Sequence, residues 1–208
     1  MSPATMTQPS TELDDVTCWN AFNRARLAAI TQTVTLRNGA QITMRAIQPD
    51  DAVRLQQFHS RLSPESIAMR YFRAAPVLYG REALHLTHLD YENRMALVAT
   101  TGQGEQERIL GVVRYERVSA AEAELAFVVE DAWQGLGIST ILLARLLAYA
   151  RTQGFETMVA ITMATNVRMR GVLMHAGYPV TSRYSDGCLT LTLDITVDPV
   201  EVSHARDN

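Results

Sequence analysis

The 208-residue chain contains no lysine: all nineteen of its basic side chains are arginine. A phosphate-binding loop of the GxxxxGK[ST] type is therefore excluded, because its lysine is what reaches the outer phosphates. Cysteine is scarce too. Cys18 and Cys188 lie far apart in sequence, with neither metal-ligand spacing nor the density of a disulfide scaffold. The five histidines form no HExxH or other zinc pattern, and His85 with His88 on one helix face makes only two ligands, so no metal is expected. Excess positive charge is missing as well. A net charge of −3 and an isoelectric point near 5.9 argue against nucleic acid or an anionic membrane as the main partner. Long apolar runs are absent: "ILLARLLAYA" is broken by Arg145 and too short to span a bilayer. The opening "MSPATMTQPSTELDD" has neither the basic start nor the apolar centre of a signal peptide. These absences lead us to expect a soluble, cytoplasmic protein.

What is present suffices for a core, since 47% of the residues are hydrophobic. The polar segment 1–17 reads as a flexible tail, 18–32 as a helical arm, 33–198 as one domain and 199–208 as a C-terminal tail. "TVTLRNGAQITMRAI" alternates around Asn38-Gly39, a hairpin signal. "QPDDAVRLQQFHSRL" opens a helix with Pro49, Asp50 and Asp51, and "SPESIAMRYF" another, with Ser63 as N-cap and Pro64 in the first turn. A helix from Arg81 precedes three strands, "MALVAT", "RILGVVRYERV" and "AELAFVVE". A long helix, a strand "TMVAIT", a helix "NVRMRGVLMHAG" with Gly177 as C-cap, and two strands around Asp186-Gly187 complete the order. Hairpin, helices, meander, helix, strand, helix and hairpin make a mixed α/β (α+β) sandwich with a largely antiparallel sheet.

The long helix carries the first functional signal. "EDAWQGLGISTILLARLLAYA" puts Gly135 and Gly137 at its mouth, although glycine costs a helix about 1 kcal/mol relative to alanine. A helix N-terminus exposes unpaired N–H groups and a partial positive charge, and glycines let a diphosphate settle against those amides. Turns and tight packing explain many such pairs equally well. A dinucleotide-binding fingerprint does not fit, because it requires GxGxxG between parallel strands, and this pair follows an antiparallel meander.

"QGLGIS", Gln134 to Ser139, resembles the Q/R-x-x-G-x-G/A signature of the GNAT superfamily of N-acetyltransferases. The resemblance covers Val34 to Ile195 in order of elements. The opening "TLRNGAQITMRAIQPDDAVRLQQFHSRLSPESIAMRYF" looks like that of the catalytic domain in bacterial protein lysine acetyltransferases, with its P-x-D and L-S-x-E-S helices. It implies a GNAT-like sheet flanked by helices and acetyl-CoA as cosubstrate, with the pyrophosphate held by Gln134, Gly135, Leu136, Gly137, Ile138 and Ser139. It also implies backbone pairing of the pantetheine arm with Phe127, Val128 and Val129, and a coenzyme A contact from Asn166, which can equally be a plain N-cap. Two positions depart from the family. Ser139 replaces the usual glycine or alanine, and Leu173 stands where many members carry a tyrosine that protonates the departing thiolate. Tyr178 reads as core, and Arg168 and Arg170 as arginines within range of the 3′-phosphate.

Amide formation from a thioester needs a neutral amine, and a lysine with a pKa near 10.4 is almost wholly protonated at pH 7. A base and an oxyanion donor are required, the latter a backbone amide of Phe127 or Val128. Glu122, Glu124 and Glu130 are the candidate bases. Alternation puts Leu125, Phe127 and Val129 on a core face and Glu124, Ala126 and Val128 on a smaller-walled one. Glu122 and Glu130, at the strand ends, are expected in water. Glu124 is expected to be partly desolvated, which would raise its pKa usefully. The resemblance favours the same residue. Three functions follow in order: acetyl transfer to a protein lysine, the same chemistry on a small or amino-acid-like amine, and acyl-CoA sensing without catalysis. A homodimer is left open.

Overall fold

The computed structural model describes residues 25, 27–72 and 77–200. Residues 27–30 are helical, so most of the expected arm and all of the expected tail at 1–17 lie outside the described residues, as does Cys18. The strands are β1 (Gln32–Thr35), β2 (Gln41–Ala46), β3 (Arg94–Thr101), β4 (Arg108–Arg117), β5 (Glu122–Val129), β6 (Thr157–Met163), β7 (Val180–Ser185) and β8 (Cys188–Asp194). The helices are α1 (Ala52–Ser60), α2 (Pro64–Tyr71), α3 (Gly80–Thr87), α4 (Ile138–Thr152) and α5 (Val167–Met174).

Local chemistry explains most boundaries. The Leu36 amide donates to the Ala40 carbonyl (2.8 Å) across the Asn38-Gly39 turn, and the Asn38 side chain accepts from the Ala40 amide (3.1 Å). Asp186 and Gly187 both have positive φ (52° and 80°), as a two-residue primed turn requires, and join β7 to β8. Ser63 accepts from the Ser66 amide ahead of Pro64, fixing the start of α2. Gly177 does something other than cap. Helix α5 stops at Met174, and a Cβ on Gly177 would come within 2.8 Å of the Val200 carbonyl. The glycine is needed because residues 199–200 cross over it, with the Val200 amide donating to the Gly177 carbonyl (2.9 Å).

The sheet has eight strands in the order β1-β2-β3-β4-β5-β6-β8-β7. Every pairing is antiparallel except β5 with β6. One face packs Leu97, Leu110, Val113 and Leu125 against Leu142 and Leu146 of α4. The other packs Val98 and Val112 against Leu55 and Phe58 of α1, Ile67 of α2 and Ala83 of α3. Glu124, Ala126 and Val128 share this second face, so their side of β5 looks toward α1–α3.

Candidate active site

The single parallel pairing is short, and it makes the site. Strands β5 and β6 are in register only at Glu122↔Thr157, Ala123↔Met158 and Glu124↔Val159. Both strands run on, to Val129 and Met163, but without each other. From Leu125 onward the edge of β5 that faces β6 has no partner strand, so its backbone groups are open to a ligand. Phe127 and Val128 are half-buried and Val129 is buried, all three beyond the fork. Alternation placed Phe127 with the core residues; it packs against that core without being fully enclosed.

Glu124 is the last paired residue before the strands part. It is exposed, so the partial desolvation expected of it is absent. Small neighbours on an open sheet face leave its carboxylate in solvent. Directly across β4 stands Glu116, also exposed, whose carboxylate meets the Arg94 guanidinium at 4.0 Å. Two carboxylates thus sit side by side at the fork, an arrangement that attracts a cation. On the other side, Val159 and Ile161 of β6 continue the same face, and Ile161 is 43% exposed although it lies mid-strand. Glu116 was missed in the sequence because its relevance depends on the β4–β5 register.

Glu130 contradicts the expectation that it is solvated. It is 6% exposed and accepts from Arg61 Nε (3.0 Å) and Arg108 Nη2 (2.7 Å). Its partners are Arg61, which caps the end of α1, and Arg108 of β4, and its amide still donates to the Leu110 carbonyl (2.8 Å). Glu122 is half-buried at the other end of the strand.

Beyond Glu130 a latch joins α2 to the loop before α4. Asp131 accepts from the Ser63 amide (2.9 Å), the Ser63 hydroxyl (2.7 Å) and the Ser66 hydroxyl (2.7 Å). Partial burial opposes ionisation of Asp131, but those donors outweigh it and hold its carboxyl below the ordinary range. Gln134 Nε2 donates to the Ser66 hydroxyl (3.2 Å) and the Val129 carbonyl (3.0 Å), while its Oε1 accepts from Arg168. The Gln134 side chain is therefore spoken for by protein groups.

Gly135 and Gly137 have φ of 76° and 94°, and a Cβ on either meets nothing within 4 Å. Packing does not require these glycines, whereas their backbone does, and they border open space. Gly137 is the N-cap of α4 and no side chain caps the helix. The first helical bond runs from the Ile141 amide to the Gly137 carbonyl (3.1 Å), which leaves the amides of Ile138, Ser139 and Thr140 without helical partners. Open space, uncapped amides and a positive dipole end fit a diphosphate. Ile138 is 1% exposed, so only its backbone is available, and Leu136 and Ser139 are half-buried.

The Asn166 side chain caps α5 by accepting from the Met169 amide (3.0 Å), which leaves its amide nitrogen for any other contact. Arg168 and Arg170 are exposed. Leu173 and Tyr178 are core residues, so neither can protonate a thiolate in the cleft. His88 ends α3 instead of sharing its face with His85, and among the described residues no three metal-ligating side chains cluster.

Known proteins share this construction. Residues 41–179 match the family model described as acetyltransferase (GNAT) domain. An acetyltransferase of Pseudomonas aeruginosa is 32% identical over 152 residues, which cover 69% of this chain and 78% of the relative. The chain belongs to the GNAT acetyltransferase family. The GNAT domain of S. lividans PAT superposes with a TM-score of 0.74 at 35% identity, covering 80% of this chain and 98% of that one. Acetyltransferase Pat of Mycolicibacterium smegmatis is 29% identical over 160 residues, 74% of this chain but only 46% of the relative. As a GNAT N-acetyltransferase the chain uses acetyl-CoA as cosubstrate, and the fork between β5 and β6 leads to the uncapped end of α4. Among the described residues no helix is long and apolar enough to cross a membrane.

Proposed function

We propose that this acetyltransferase transfers the acetyl group of acetyl-CoA directly to the side-chain amine of a protein lysine, with Glu124 as the base. The observation that carries this reading is the position of Glu124 at the point where β5 leaves β6. An amine delivered there meets Glu124 and Glu116, while the open edge of Phe127–Val129 lies one step further along the strand. The pyrophosphate rests on the backbone of Gly135–Ser139, and a backbone amide of Phe127 or Val128 supports the charge that develops on the thioester oxygen. Glu124 removes the amine's proton, directly or through water, before attack. With Leu173 in the core, the thiol leaves as thiolate or takes its proton from water, which its ordinary pKa near 8.5 allows. Exposed Ile161 and half-buried Val159 give the methylenes of a lysine an apolar wall. The similarity to Pat proteins and the L-S-x-E-S opening support a protein acceptor.

A cavity of about 410 Å³, lined by His59, Tyr71, Leu78 and His85 among others, adjoins a narrower one that reaches Ala126, Phe127 and Val128 of β5, and favours a small amine as second reading. Release of coenzyme A thiol, measured against folded proteins, lysine peptides and small amines, decides between them. The expected result is highest kcat/KM for a protein or peptide; turnover confined to small amines overturns the protein reading.

Acetyl-CoA should also raise the melting temperature, because it binds only the folded state. At a concentration about a hundredfold above Kd the gain is about 2.7 kcal/mol. Absence of a shift with millimolar acetyl-CoA would overturn the cofactor assignment.

The phosphate cradle has its own test. At φ 94° any side chain strains the backbone by about 1–2 kcal/mol, so Gly137→Val alone confuses strain with lost binding. Gly154, after the other end of α4, has φ 80° and equally open surroundings. Gly137→Val should weaken coenzyme A binding by tenfold or more, whereas Gly154→Val should suffer similar strain and bind normally. Equal binding by both variants, seen by calorimetry, would place the diphosphate elsewhere.

A further inference from the structure

Two arginines next to the fork make no ion pair among the described residues. Arg114 lies on β4 directly across from Ala126, and Arg70 lies in the last turn of α2. Both line one narrow cavity with Tyr71, Phe127 and Val128. Among the described residues neither guanidinium comes within 4 Å of a carboxylate. Arg114 Nη2 makes one long hydrogen bond, to the Leu86 carbonyl (3.4 Å), and Arg70 stacks over the Tyr71 ring at 4.9 Å. Burial, and then the charge of Arg70, lower Arg114 to about 10. Burial lowers Arg70 too, with Tyr71 and Glu124 acting in the other direction. Of the other nearby ions, Arg94 adds repulsion, and Glu116, exposed beside Arg94, adds a smaller attraction.

Arg70 and Arg114 are half-buried; guanidinium groups packed against a protein are ordinarily paired, and two that repel each other without an ion pair are a cost to the fold. A ligand anion would remove that cost. The cavity is reachable, since His59, Tyr71, Leu78 and Leu86 line both it and the larger cavity that opens at the surface. The cleft is thus bipolar, with carboxylates at the fork and arginines behind it.

We propose that the acceptor presents a carboxylate close in space to its reacting amine, and that Arg70 and Arg114 bind it while the amine sits at Glu124. This rests on the N-acetyltransferase reading of the same cleft. For a protein acceptor it means a lysine flanked by aspartate or glutamate.

Two matched pairs of acceptors test the idea: lysine peptides differing only by Asp or Asn beside the lysine, and an ω-amino acid against the alkylamine of equal length. With acetyl-CoA, the acidic member should have a kcat/KM about tenfold or more above its neutral partner, as paired charge-assisted bonds imply. That ratio should fall to near unity in Arg70→Gln and Arg114→Met, and Arg114→Lys should keep part of it. Arg114→Met should melt no lower than the unaltered protein, because it relieves repulsion; an arginine held for structure would melt lower. Equal rates within both pairs, or a ratio that survives both substitutions, overturns the proposal. So does an arginine dependence seen only with a dicarboxylic acyl-CoA and neutral amines, which would place the carboxylate on the acyl group. Calorimetric titration of the same four acceptors separates the two readings. Acidic members that bind through the arginines without any thiol release refute the transferase reading alone, while equal binding within each pair refutes the arginine site.

Discussion

Glu124→Gln should lower turnover by about 10²–10⁴-fold, the usual worth of a positioned base, with little change in acetyl-CoA binding. Glutamine keeps the volume and can still accept a hydrogen bond, but it cannot take the amine's proton. The side chain is exposed and makes no hydrogen bond among the described residues, so the fold should not depend on it, and the melting temperature should stay within a degree or so. Glu116→Gln discriminates further. Its carboxylate stands across β4 from Glu124, where it draws in the ammonium without receiving its proton, so the loss should fall mainly on KM. The measurement is single-turnover kinetics, which isolate the chemical step. Near-normal single turnover in Glu124→Gln would assign the base to another group or to water, and the role inferred from related lysine acetyltransferases would be wrong at its central residue.

Glu130→Gln should do the reverse, harming stability first. Its carboxylate joins Arg61 of the α1 end and Arg108 of β4, and Arg61 also donates to the Ile109 carbonyl (2.7 Å). An amide presents N–H to one of two arginines and leaves that charge poorly paired in a site where Arg108 Nε already lacks a partner. Hydrogen bonds to charged groups are worth about 1.5–3 kcal/mol, and the half-exposed arginines place the cost toward the lower end. In a domain of this size that is a loss of several degrees in Tm. Thermal unfolding without ligand checks it, and an unchanged Tm would mean that the network contributes nothing.

The contrast between these two glutamates shows what could be read from the chain and what could not. Both sit in "AELAFVVE", and alternation correctly sorted Leu125 and Val129 from Glu124. Turn and cap chemistry was equally legible at Asn38-Gly39, Ser63-Pro64 and Gly137, since each acts on its own backbone. The burial of Glu130 was not, because its partners Arg61 and Arg108 lie 69 and 22 residues away. Nor could alternation foresee that β5 keeps β6 for only three residues, that β8 inserts between β6 and β7, or that Arg70 and Arg114 converge. These are facts of register and of packing between distant elements. The exposure of Glu124 belongs with them, because solvent access depends on what covers the sheet, and nothing in the strand's own sequence states it.

The latch at Asp131 and Gln134 has a thermodynamic consequence. The loop that carries the glycines and the helix that carries Arg70 are tied through Ser63 and Ser66 into one mechanical piece. A ligand that stiffens the loop also stiffens the helix, so the conformational entropy lost on ordering the piece is lost once for two ligands. Acetyl-CoA and acceptor should then bind with synergy, each tightening the other by the same factor. Cutting the tie with Asp131→Ala and Ser66→Ala together, which removes all four bonds, would leave both sites standing and make them indifferent to one another.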